Sequence, residues 1–405
     1  MTIRTEQHPE LTGRVLCVAG WWPKKGDVAG IFIREHVKAI ARSRRVVVVY
    51  MEVVKGRSLW PTTKLSTDLE EGLSVHRITI STPVRRSGVP AWLARRAYYR
   101  VVRRLHREDP LELVHIHVRT EETEQCVPVA TALDLPIVLT EHNSFYHLGI
   151  RALPKDEEAT QRRRIRHWLA NPRIAMVMPV SKDLSNILEN DYGVARSRLT
   201  VIPNVAAHYF SLTTDRPSGP YRIMLASVWR PPKDHDVFIR ALRELPTEIR
   251  GRIRVDWVGF GPDYALIQQR CKDELPDVDI RFPGYMDKAR MARAMQEADL
   301  FVLPTKADNL PCVVLESLCC GTPVISMAVN GVPELIGPSN GILVPPSDPS
   351  ALAEALLQCI GDRSRFDRQA ISKAAVARYS EAAVGDRIDE VYRALITAGS
   401  RSSGT

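Results

Sequence analysis

Leu303–Ser326, LPTKADNLPCVVLESLCCGTPVIS, decides the fold. It reads as a strand end, an acidic loop, a short helix, a glycine stop and a buried strand. Pro311 stands where a first helical turn begins and Gly321 where it ends, the usual start and stop asymmetry. Glu316 falls inside the helix, and Asp308 lies eight residues earlier, just before it. A helix N-terminus offers free N–H groups and a partial positive charge, so it suits a phosphate. A carboxylate one or two turns down accepts hydrogen bonds from both hydroxyls of a sugar diol. An unpaired acid in a helix as apolar as CVVLESLCC is costly, and a ligand accounts for it. Phosphate and diol side by side point to a nucleotide sugar.

Outward from that segment, strands and helices alternate along the chain. Val15–Ala19, Val46–Tyr50, Leu113–Ile116, Ile137–Thr140, Met176–Val180 and Thr200–Ile202 are short, buried-looking runs, with helical stretches such as Ile31–Arg42 and Asp183–Glu189 among them. Thr213–Tyr221 is polar, carries Pro and Gly, and reads as a linker. A second series follows: Ile223–Ala226, Val255–Val258, Ile280–Phe282, Leu300–Leu303, Val324–Ser326 and Ile342–Val344. The pattern predicts an α/β protein of two doubly wound, Rossmann-like domains, 1–210 and 211–380. Residues 381–405 form a final helix to about Leu395 and a disordered tail from Ser400. Ligands of such sheets bind outside the carboxyl ends of the strands.

Other stretches carry the same signal. They are Val180-Ser181-Lys182 with Val201–Asn204, Ser227–Lys233 (SVWRPPK), Val258–Pro262 with Phe282–Tyr285, and Asn330–Glu334. Their order and spacing resemble the retaining glycosyltransferases of the GT-B fold, family 4. That family's acidic motif has two acids eight apart, then Gly-x-Pro-Val. Asp308 and Glu316 stand at the acids, and Gly321, Pro323 and Val324 match. Asn309, Leu310 and Pro311 replace Gly-Phe-Gly. Val228 stands where the family has an Arg, Asp234 where it has a Gly after Lys233, and Val205 where it has a Gly after Asn204. The resemblance implies two domains facing across a cleft, with the last helix crossing back to the first. It implies that Glu316 holds the ribose hydroxyls and Asp308 the transferred sugar, with Leu310 and Cys312 beside them. Lys233, with Arg230 as the nearest substitute for the missing guanidinium, neutralises the diphosphate. Gly259, Gly261 and Tyr285 belong to loops flanking the base. Gly30, in the loop Gly26–Gly30, meets the donor phosphate, and His142 approaches the transferred sugar. The implied chemistry is front-face transfer to an acceptor hydroxyl.

Composition agrees with a globular enzyme. The 405 residues are 44% hydrophobic and 25% charged, a length that suggests two or three domains. No run approaches the ~20 apolar residues of a spanning helix. The N-terminus lacks a signal layout, so a cytoplasmic protein is expected. Seven cysteines without C-x-x-C spacing read as small buried hydrophobes. A net charge of +9 suits phosphorylated substrates or anionic lipid. Nucleic acid is not expected, because zinc-finger spacing and aromatic-basic RNA motifs are missing.

Pro90–Asp109 (PAWLARRAYYRVVRRLHRED) fits a helix. Leu93, Ala97, Val101 and Leu105 form an apolar stripe, widened by Tyr98 and Val102, and arginines fill the other faces. It reads either as an ordinary core-facing helix or as a surface for an anionic membrane. Gln161–His167 (QRRRIRH) is basic as well and tilts the reading towards a membrane on the cytoplasmic side. His115 and His117 share a strand face, but no third ligand has matching spacing, so packing or acceptor contact is expected. Asp277-Val278-Asp279 precedes its strand, the wrong end for a site. No metal and no cofactor are expected. The function expected is therefore transfer from a nucleoside diphosphate sugar to a glycan or lipid-linked acceptor. A nucleotide-sugar epimerase of the same architecture and a non-catalytic nucleotide-sugar-binding protein are the alternatives.

Overall fold

A computed structural model describes residues 13–24, 28–56, 60–82, 91–147, 149–213 and 218–402, with side chains to 397. Gly26, Pro90 and the middle of the Thr213–Tyr221 segment lie outside the described residues. The first sheet contains β1 (Arg14–Ala19), β2 (Arg45–Lys55), β3 (Thr62–Glu70), β4 (Leu73–Thr82), β5 (Leu113–His117), β6 (Ile137–Glu141) and β7 (Ile174–Pro179), in the order β3-β4-β2-β1-β5-β6-β7. All its pairs are parallel except β3 with β4. The second contains β8 (Tyr221–Val228), β9 (Ile253–Phe260), β10 (Asp279–Gly284), β11 (Leu300–Leu303), β12 (Val324–Met327) and β13 (Gly341–Val344), ordered β10-β9-β8-β11-β12-β13 and parallel throughout. Val15–Val18 and Leu300–Val302 are fully buried, as expected of strands with helices on both faces.

Two expectations are corrected. Thr200–Ile202 is not a strand. It runs beside β7, with Thr200 N–H donating to the Val177 carbonyl at 3.1 Å and Ile202 N–H to Pro179 at 3.1 Å, but the ladder does not continue. The last helix runs over Glu381–Ser402, so order extends past Leu395 and through Ser400–Ser402.

That helix crosses onto the first sheet's side, as expected. Val384, Ile388 and Tyr392 are buried with β1, β2 and the helix Ile31–Ala41. A Cβ at Gly385 would stand 2.5 Å from the Ala39 carbonyl, so only glycine permits the crossing that close. Arg44 Nε lies 2.5 Å from Asp389 Oδ1, with side chains 6% and 5% exposed. Asp389 keeps its second partner, Arg393 at 2.6 Å, so Arg44→Ala is expected to cost about 2 kcal/mol, the loss of one charged hydrogen bond and not the full cost of a stranded buried charge. The check is a lowered urea midpoint at constant m; an unchanged midpoint rejects it.

Candidate functional site

The loops after β8, β9 and β10 meet the helix Cys312–Cys319 around a cavity of about 260 Å³. That helix fits the space behind β11 and β12 because eight of the nine residues in CVVLESLCC, all but Glu316, are apolar or small. It stops at Gly321, whose φ of 73° and 2.5 Å approach to the Arg368 carbonyl exclude a side chain. Pro311 is the N-cap, with φ −67°. Glu316 is 3% exposed and faces the cavity from the helix. Its Oε1 is ion-paired with the Lys288 ammonium. Burial works against the Lys288 charge, but Glu316 outweighs it, and the ammonium's pKa is raised. Lys288 opens the helix Lys288–Glu297, where the helix dipole disfavours a cation. That misfit was the sequence signal for its role, and it was missed.

The remaining expected residues divide into those that the cavity gathers and those that it does not. Gly259, Tyr285 and Cys312 line it with Glu316. Burial pushes the Cys312 thiol up to about 12, which favours its neutral form. Tyr285 is 47% exposed and stands edge-on to Phe260, with ring centroids 6.0 Å apart. Gly259 and Gly261 have φ of 139° and 150°. Their first duty is packing: a Cβ on Gly259 would be 2.0 Å from the Ser227 carbonyl, and one on Gly261 2.5 Å from that of Trp229. Lys233 and Asp308, from the loops after β8 and β11, are ion-paired with each other, but neither lines this cavity. Arg230 is exposed and makes no ion pair among the described residues.

Leu310 is buried at the contact between the lobes. Its carbonyl accepts from Asn204 Nδ2 at 2.7 Å. Asn309 Oδ1 accepts from Ser181 Oγ at 2.6 Å, and Asn309 Nδ2 donates to the His142 carbonyl at 3.3 Å. Glu334 reaches across too, its two oxygens each accepting at 2.8 Å from Lys182 N–H and Asp183 N–H, the first turn of the helix Lys182–Asn190. A carboxylate on a helix N-terminus is favourable. Asn309, where the resembled family has Gly, thus supplies an amide that ties the loop after β11 to the first lobe.

From the first lobe, Gly30 caps the helix Ile31–Ala41 in the left-handed region, φ 81°, and a Cβ there would lie 2.8 Å from the Trp21 backbone. Ile31, Phe32 and Glu35 of that helix line the cavity. Glu35 is 2% exposed. Burial raises its pKa, against the opposing pull of Lys38, Lys288 and Arg34, and its Oε2 has no hydrogen bond. Sequence reading did not find Glu35, since nothing in IREHVK marks one polar residue as inward. His142 does not line the cavity; its ring packs on Phe32, which does, with centroids 4.8 Å apart, and its Nδ1 is 2.8 Å from Asn204 Oδ1. Asp277 and Asp279 pair with Arg250 and Arg281 at 2.9 Å each, in keeping with a structural turn.

Two family models match, Glycosyltransferase Family 4 over residues 29–206 and Glycosyl transferases group 1 over residues 219–362. A phosphatidyl-myo-inositol mannosyltransferase of Mycobacterium leprae is 33% identical over 125 residues, 30% of this chain and 33% of that protein. D-inositol 3-phosphate glycosyltransferase 1 of Catenulispora acidiphila is 29% identical over 245 residues, 57% of this chain and 54% of that protein. The chain thus spans a third and about half the length of these two relatives. Among solved structures, Anabaena Alr3699/HepE in complex with UDP and glucose superposes with a TM-score of 0.69 at 18% identity, covering 93% of this chain and 98% of that one. That likeness bears on the fold alone. With both lobes matched in order and the architecture shared, the chain belongs to the family 4, group 1 glycosyltransferases of the GT-B fold.

Proposed function

We propose that this chain is a retaining glycosyltransferase that moves a sugar from a nucleoside diphosphate to an acceptor hydroxyl. The observation that carries the reading is Glu316, a buried carboxylate facing a cavity of about 260 Å³ beside a helix N-terminus. The cavity accommodates a nucleoside, with Phe260 and Tyr285 at the base and Glu316 at the ribose diol. Lys288 leaves Glu316 when the diol arrives, and Glu35, whose Oε2 has Lys38 Nζ at 3.8 Å but no hydrogen bond among the described residues, receives it. Lys233 then parts from Asp308 to meet the diphosphate, and Asp308 is freed for hydroxyls of the transferred sugar. Arg230, exposed and unpaired, is placed to swing in as a second cation. The acceptor oxygen forms its bond to the anomeric carbon on the face from which the phosphate departs. The departing phosphate oxygen takes the acceptor's proton. Lys233 holds the developing charge, and closure of the lobes keeps water out.

UDP and GDP titrated by calorimetry, followed by a crystal soaked with the tighter binder, test the reading. Nucleotide against Glu316 supports it, and nucleotide elsewhere or none at all rejects it. Product analysis with radiolabelled donor tells transfer from epimerisation. Glu35 is the one observation favouring an epimerase, as a first-lobe carboxylate on the cavity; it lines the cavity with Glu316 rather than with Asp308, so transfer is the better reading.

A lipid-linked or cell-surface glycan acceptor at a membrane face is part of the proposal. The matched relatives include one named for phosphatidyl-myo-inositol. The helix Ala91–Glu108 buries Ala97, Tyr98, Val101, Val102 and Leu105 against the first core, while Trp92 and Tyr99 are 65% and 40% exposed among arginines. The apolar stripe is thus core-facing, and the outward face is aromatic and basic. No described helix is long and apolar enough to cross a membrane. Arg95→Glu with Arg96→Glu is expected to lower co-sedimentation with phosphatidylglycerol vesicles at least tenfold, since each basic group near such a surface is worth about 1 kcal/mol and two are reversed. Unchanged co-sedimentation rejects the membrane surface.

A further inference from the structure

Three histidines from three elements meet under the cleft floor. His36 lies on the helix Ile31–Ala41, His117 ends β5, and His142 follows β6; they are 0%, 0% and 8% exposed. Their rings are close, with centroids 4.8 Å apart for His36 and His142, 5.9 Å for His36 and His117, and 6.0 Å for His117 and His142. Among the described residues, no hydrogen bond reaches either ring nitrogen of His117 or Nε2 of His142, and His36 has only the off-line Pro203 carbonyl and Asn204 side chain beside it. Each such buried group costs about 1–3 kcal/mol if nothing answers it. Unanswered polar atoms gathered in one place point to an occupant, a water or an ion.

The tautomer of His142 indicates which. Asn204 Nδ2 donates to the Leu310 carbonyl at 2.7 Å, which fixes the amide so that its Oδ1 faces His142 Nδ1 at 2.8 Å. An amide oxygen only accepts, so Nδ1 carries the proton and Nε2 turns a lone pair towards His36 and His117. A histidine with its outer N–H held by a carbonyl-type oxygen and its inner lone pair free is arranged as metal ligands are. The Pro203 carbonyl and the Asn204 side chain also stand beside His36.

We propose that His36, His117 and His142 bind a divalent first-row transition metal, Zn²⁺ foremost. One nitrogen from each lies within 4.8 Å of the others. Zn–N bonds of about 2.0–2.1 Å bring tetrahedral ligand nitrogens to about 3.3 Å, so the rings close inward on binding. Imidazole is a ligand type suited to zinc. The neighbouring group Cys17, His115 and His117 is as compact but is already used. His115 Nδ1 is 2.6 Å from Tyr392 Oη and its Nε2 2.7 Å from Thr140 Oγ1, and burial holds the Cys17 thiol far from ionisation. The metal's role is structural. It joins the helix behind Gly30 to β5 and to the His142 backbone, whose carbonyl holds Asn309 of the donor loop. Spacing in sequence offers His117 no further ligand because His36 and His142 are 81 and 25 residues away, and only the fold brings them beside it.

The test uses the full chain made in zinc-supplemented medium and purified without chelator, with metal measured by mass spectrometry. About one equivalent of zinc per chain is expected, acquired during folding. His117→Ala and, with volume retained, His36→Gln should lose it at least tenfold, while Cys17→Ala keeps it. Wild-type protein unfolded with chelator and refolded with Co²⁺ should gain the visible absorption of a tetrahedral site and a higher Tm. Less than a tenth of an equivalent together with no cobalt spectrum overturns the proposal in favour of a buried water, whether or not the variants fold. Metal content unchanged in His117→Ala overturns it as well.

Discussion

Lys233→Ala is expected to lower kcat by about 10²–10³-fold, the usual cost of removing one preorganised group from a developing charge. The ammonium already meets the bound diphosphate, and its hold strengthens as charge develops on the leaving oxygen, so KM for the donor should move less than kcat. A second effect runs in the opposite direction. In the empty protein Lys233 is paired with Asp308, with side chains 15% and 20% exposed. The substitution frees Asp308 for water, which is tolerable at that exposure, so the variant should fold with little change in Tm. Steady-state kinetics with the donor identified by calorimetry makes the check. A rate within a few fold of wild type would remove Lys233 from the chemistry.

Glu316→Ala is expected to weaken nucleotide binding about 100-fold. Two hydrogen bonds from ribose hydroxyls to a carboxylate are lost, each worth about 1.5–3 kcal/mol, part of it returned by water. The Lys288 partner complicates the reading, because the alanine variant leaves that ammonium facing an apolar cavity. Glu316→Gln separates the two contributions. It still accepts one hydroxyl and fills the volume, so binding should fall less than in the alanine variant while Lys288 loses its ion pair in both. Calorimetry with UDP and GDP, and Tm without nucleotide, resolve the two. Equal nucleotide affinity in wild type and Glu316→Ala would place the ribose elsewhere.

The fold was legible because the two sheets are parallel and buried on both faces, so their strands read as plain runs of Val, Ile and Leu. The β3–β4 hairpin was not. Its first strand, TTKLSTDLE, is exposed at most positions and has no apolar face to find. Its one local sign is Glu71-Gly72, both at positive φ, the two-residue turn that hairpin twist favours. Of the candidate site, the sequence marks the contiguous part, Glu316 and Cys312 in the segment from Asp308 to Gly321. Lys288 comes to Glu316 from another helix, and His117 and His142 come to His36 from other elements, so spacing in sequence carries no record of those meetings. The basic helix yielded half its meaning to the pattern. Its stripe could be counted, but only packing shows that the stripe is spent on the core and that Trp92 and Tyr99 are left outside.

The crossing helix has a consequence for synthesis. Val384, Ile388 and Tyr392 fill a core whose other walls include β1, β2 and the helix Ile31–Ala41, so the first lobe is finished with residues made only after the second lobe. Domains usually mature in the order of their translation. Here the nascent first lobe must wait, open along one side, until the helix that follows the second lobe emerges. Stalled chains ending before Glu381 should therefore be cut by protease in the leading half, and chains long enough to expose Tyr392 should resist.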